Sequence, residues 1–117
     1  MSPLAKDIYK HLLKHVRRNQ PSITYAELAK SLPAKHAAHP RSPTLHAALG
    51  EVTQACRHND LPALPAIVWR ASPRRPGDGY YKSAHPRAHT EAARLAAWER
   101  EHARVLSFAE TFPPTLA

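Results

Sequence analysis

The chain has 117 residues, room for one modest hydrophobic core and not comfortably for two. Apolar residues make up 43%, ordinary for a globular domain and too many for a disordered one. Seventeen Lys and Arg against nine Asp and Glu leave a net charge of +8. Such a field suits a polyanion, and nucleic acid is the commonest one in the cytoplasm.

No apolar run approaches the roughly 18–20 residues of a transmembrane helix, so no membrane partner is expected. Charged residues interrupt MSPLAKDIYKHLLKHV, which leaves no apolar signal-peptide core. The one cysteine, Cys56, excludes an intramolecular disulfide and fits a reducing compartment. The expected location is cytoplasmic. The positive charge is uneven. Residues 1–87 hold 14 Lys and Arg against five Asp and Glu, and residues 88–117 hold three against four.

The first predicted element is a helix over about Pro3–Arg18, capped by Ser2 with proline in its first turn. Leu4, Ile8, Tyr9, Leu12, Leu13 and Val16 draw one apolar stripe. Lys6, Lys10, Lys14, Arg17 and Arg18 fall off it, and Asn19-Gln20-Pro21 ends the helix. Ile23 is a short strand candidate. Thr24-Tyr25-Ala26-Glu27 is a capping box that opens a second helix, stopped at Pro33. Residues 33–41 are too long for a helix-turn-helix turn and read as an insertion carrying Lys35, His36, His39 and Arg41.

Ser42-Pro43 opens a third helix, with Leu45, Leu49, Val52 and Cys56 as its core stripe. His46, Gly50, Thr53, Gln54 and Arg57 lie away from that stripe. Ala66–Arg70 reads as a strand on β-branched and aromatic content. Ser72–Gly79, with its prolines and glycines, reads as a turn, and Tyr80-Tyr81-Lys82 as the returning strand. A last helix spans about Ala88–Ala109, capped by Thr90, with Leu95, Trp98, His102, Val105 and Leu106 on its apolar face.

That order predicts an α+β winged helix-turn-helix: three helices plus a small antiparallel β-hairpin wing, with an added C-terminal helix. Residues 1–87 form the winged-helix domain. Residues 88–117 form an amphipathic helix and tail, packed on the same domain or on a partner. The third helix would enter the major groove of double-stranded DNA, with His46, Thr53, Gln54 and Arg57 facing the duplex. Arg70, Arg74, Arg75 and Lys82 would place the wing on phosphates or in a minor groove.

Other chemistry finds less support. His11 and His15, and His85 and His89, stand four apart, a spacing able to hold one metal ion. No Cys pair and no acid completes such a site, so no metal and no cofactor is expected. Cys56 sits on the core stripe near a helix C-terminus, where burial and the helix dipole oppose a thiolate. No catalytic residue is assigned, and the chain is read as a non-enzymatic DNA-binding protein, a small regulator. Two alternatives stay open. One is a phage or mobile-element protein that binds and inhibits a host defence complex. The other is a small basic ribonuclease toxin using His36, His39, His85 and His89 as acid and base. The C-terminal helix offers a route to a homodimer.

Ile23-Thr-Tyr-Ala-Glu-Leu-Ala29 resembles the opening of many winged helix-turn-helix modules. It is also similar to the TYG-x-LA stretch of the alkylguanine-DNA alkyltransferases and alkyltransferase-like proteins. Their active-site Pro-Cys-His-Arg is absent, and Leu61–Trp69 stands where it would fall. The resemblance therefore implies a fold and a duplex partner but no alkyl transfer.

Overall fold

The computed structural model describes residues 1–36 and 39–116. Helix α1 spans Pro3–Arg17, and the Ser2 hydroxyl accepts from the Ala5 amide at 3.2 Å. Its stripe of Leu4, Ile8, Leu12, Leu13 and Val16 is buried. Asn19, with φ of 61°, takes the left-handed conformation that commonly ends a helix. Strand β1, Ile23–Thr24, runs into helix α2, Tyr25–Ser31. The capping box forms: Glu27 donates its amide to the Thr24 hydroxyl at 3.1 Å, and its carboxylate accepts the Thr24 amide at 3.0 Å.

A 3₁₀ turn at Ala34–His36 follows Pro33. His36 Nε2 meets Asp7 Oδ2 at 2.6 Å, which pins the start of the 33–41 connection to α1. Helix α3 spans Pro43–His58, and the Ser42 hydroxyl accepts from the Leu45 amide. A buried 3₁₀ turn, Leu64–Ile67, leads into strand β2, Val68–Trp69. Helix α4 spans Asp78–Ala84, and helix α5, capped by Thr90, spans Glu91–Ser107.

The winged helix-turn-helix expectation is overturned. Five helices carry the described fold, and its two strands pair parallel, Ile23 with Val68 and Thr24 with Trp69. No antiparallel hairpin forms between Ala66–Arg70 and Tyr80–Lys82. Tyr80, Tyr81 and Lys82 lie in α4 instead. The reason is tertiary. β-propensity measures how well a side chain suits a half-buried surface, more than a backbone preference. Here the Tyr80 and Tyr81 rings are buried from a helix, with Gly77 at the N-cap and Asp78 in the favourable first turn. The intervening loop is closed by its own backbone: the Arg70 amide donates to Arg75 O at 3.0 Å.

One core joins these elements. The stripes of α1 and α3 meet, and the 3₁₀ turn at Leu64–Ile67 wedges against both and against α5. On α5, Trp98 and Val105 are buried against the rest of the chain. His102 is half-buried and donates to Pro21 O at 2.7 Å. Among the described residues, no helix is long and apolar enough to cross a membrane.

The His36 hydrogen bond holds the Asp7 carboxyl below its ordinary range. The folded chain thus binds that proton less readily than the unfolded chain. The contact stabilises above the usual carboxylate range and is lost as pH falls through the lowered value. Thermal melts against pH should therefore show a shallower acid limb for Asp7→Asn than for wild type below about pH 4.

Candidate nucleic-acid interface

Parallel pairing determines where the chemistry collects. Thr24 sits opposite Trp69, so the next residues, Tyr25 and Arg70, leave the two strands side by side at their carboxyl ends. A cleft of about 670 Å³ opens there. Its walls come from the first turn of α2, the chain at Pro40–Arg41, His46 on α3, and Arg70–Ser72 with Gly77–Gly79.

The cleft is cationic. Arg41 and Arg70 line it beside the His46 ring, and Asp78 is the one carboxylate among its described lining residues. Asp78 is already opposed by Arg94 at 3.6 Å. His46 Nε2 donates to Pro40 O at 2.9 Å, and its ring lies 5.2 Å from that of Tyr25. The Tyr25 hydroxyl accepts from the Gly77 amide at 2.9 Å. Burial raises the Tyr25 pKa, so the hydroxyl keeps its proton and remains a neutral donor. Arg70 also lines a second depression, of about 200 Å³. There Arg75 is bonded to Glu91, and the Arg94 guanidinium lies 5.3 Å from the centre of the Tyr81 ring. Those cations are engaged within the protein.

The residues expected at DNA fall in different settings. His46 and Arg70 come together at the cleft. Thr53 is 1% exposed, inside the α3–α4 contact. Gln54 Nε2 and Arg57 Nη1 donate to the Ser83 carbonyl at 3.1 and 2.9 Å. The last carbonyls of a helix lack partners within it, and these two side chains supply one from α3 to α4. The polar face of α3 that suggested a base-reading surface is thus the face on which α4 docks. Arg74 is exposed on the loop, Arg75 is paired with Glu91, and Lys82 is exposed on α4.

Sequence reasoning did not select Tyr25 or Arg41 as site residues. Their signals were positional. Tyr25 follows the capping Thr24 at a strand end, and Arg41 precedes the capping Ser42, so both sit where a helix begins.

The histidines considered for catalysis are spread out. His36 bonds Asp7, the His39 ring accepts the Arg41 amide, His85 shares a hydrogen bond with Tyr80 at 2.8 Å, and His89 lines the second depression. The space beside Tyr80 is about 20 Å³, water-sized at most. His15 donates to Ser22 O at 2.7 Å. Among the described residues no three His, Cys, Asp or Glu side chains are grouped to hold a metal ion. The chain matches no protein-family model, no curated protein and no solved structure.

Packing at this face makes two outcomes measurable. A β-carbon on Gly50 would stand 3.3 Å from Ser83 Oγ, at the α3–α4 contact. Gly50→Leu should lower stability in urea denaturation by about 1–3 kcal/mol through overpacking. Gly50→Ala crowds only a rotatable hydroxyl and should change it by no more than about 1 kcal/mol. Cys56 is fully buried, and burial pushes its thiol up to about 11. Iodoacetamide at pH 8 should leave the folded protein unlabelled by mass spectrometry and label it fully in denaturant.

Proposed function

We propose that this protein is a non-enzymatic DNA-binding protein that takes the phosphate backbone of its ligand into the cleft at the ends of β1 and β2. The observation that carries this reading is the uncompensated charge of the cleft. Arg41 and Arg70 line it with His46 and the Tyr25 hydroxyl, and among the described residues neither arginine is in an ion pair. Arginine forks match phosphate geometry, and a neutral phenol adds a donor without charge. The net charge of +8 would hasten encounter with a polyanion.

Binding of this kind differs in one respect from a helix laid into the major groove. Gln54 and Arg57 are committed to α4. Backbone contact at the cleft therefore leads, and phosphate contacts fix position more than sequence.

Fluorescence anisotropy with labelled duplex DNA at several salt concentrations tests it. Wild type should bind with a steep salt dependence. Arg41→Ala/Arg70→Ala should bind about tenfold weaker or worse, with the slope shallower by about 0.9 for each phosphate left unneutralised. Equal affinity of the double variant, or no wild-type binding at low salt, would sink the reading.

A further inference from the structure

Helix α1 has a second basic surface, outside the cleft. Lys6, Lys10, Lys14 and Arg18 follow one another at four-residue intervals and are exposed. That spacing climbs about 6 Å per step along a helix ridge. Among the described residues none of the four is in an ion pair. The one carboxylate on α1, Asp7, is taken by His36. Arg17 is not part of this set, because it donates to Ala109 O and Phe112 O and holds the C-terminal segment on α1.

The surface has relief. Lys6 and Lys10 border a depression of about 210 Å³ against Pro114 and Thr115. Lys10 and Lys14 border another, of about 200 Å³, against Ser31 and Pro33 at the end of α2. Lys10 therefore stands on the rim of both. No α1 residue lines the cleft, which opens at the other end of α2.

We propose that this ridge is a second backbone-binding surface for nucleic acid, one that grips phosphates without regard to sequence. The inference rests on the same partner class as the cleft reading. The chemistry favours nucleic acid over two other anionic partners. A membrane-surface helix needs a free apolar face, and that of α1 is buried in the core. A protein interface concentrates its energy in apolar and aromatic anchors. Among the described residues the one exposed large hydrophobic side chain is Leu106, which lies on α5. A row of unpaired ammonium groups matches a row of phosphates, and neutralising each phosphate releases condensed counterions.

The test compares four forms of the full chain on labelled duplexes of two unrelated sequences, across salt. They are wild type, Lys6→Gln/Lys10→Gln/Lys14→Gln, Arg41→Ala/Arg70→Ala, and all five changes together. The lysines are exposed, and matching thermal melts check that each form is folded. The lysine variant should lose about tenfold in affinity on both sequences, with a shallower salt slope, and the five-fold variant should lose more than either parent. A fifth form, with Lys→Arg at the three positions, should bind as wild type does. If the lysine variant keeps wild-type affinity and slope while the cleft variant loses both, the ridge inference fails and the cleft reading stands. If only the lysine variant loses binding, the ridge stands and the cleft reading fails. Wild-type binding to phosphatidylserine vesicles without binding to either duplex overturns both.

Discussion

The carbonyl of Ala66 is the interaction on which this fold turns. It lies in the buried 3₁₀ turn, cut off from water, and a backbone oxygen there must find donors. Two indoles supply them. Trp69 Nε1 donates from the strand that follows, at 3.0 Å, and Trp98 Nε1 from α5, at 2.9 Å. The two rings meet edge to face with centroids 5.4 Å apart. A single acceptor thereby ties together the turn, β2 and the C-terminal helix. With Trp69 so placed, its pairing with Thr24 is set, and Arg70 follows at the cleft.

The chemistry divides into spent and unspent charge. Arg17 holds the C-terminal segment, Arg57 closes α4, and Arg75 and Arg94 meet carboxylates. These cations hold elements together, as hydrogen-bonded guanidinium groups do well. The unspent set includes Arg41 and Arg70 at the cleft and Lys6, Lys10, Lys14 and Arg18 along α1. A sequence total of +8 does not separate the two sets. Geometry does, by showing which donors already have acceptors.

Where the chain carries local instructions, its structure was legible. The stripe of α1, the Thr24–Glu27 capping box and Ser42-Pro43 each act within a few residues, and each forms where the sequence places it. The wing was not legible, because Tyr80 and Tyr81 take their conformation from burial beside α3 and seven residues are too few to show a helical period. The parallel pair was hidden for a related reason: two residues on each side leave no alternation to read. Half of the cleft was in view, through His46 and Arg70. Gln54 and Arg57 misled because a residue off one core stripe can face another helix as well as solvent. In their case the other helix has a carbonyl that needs a donor.

The sheet has a consequence for dynamics. Its two-residue strands join parts of the chain that the whole of α2 and α3 separates. So short a ladder offers few backbone bonds, and what keeps it closed is burial: Ile23 and Val68 are 3% and 1% exposed and belong to the same core as the stripes of α1 and α3. Parting of β1 from β2 would separate Tyr25 from Arg70 and expose those two core side chains at once. The cleft thus keeps its shape for as long as the core stays packed.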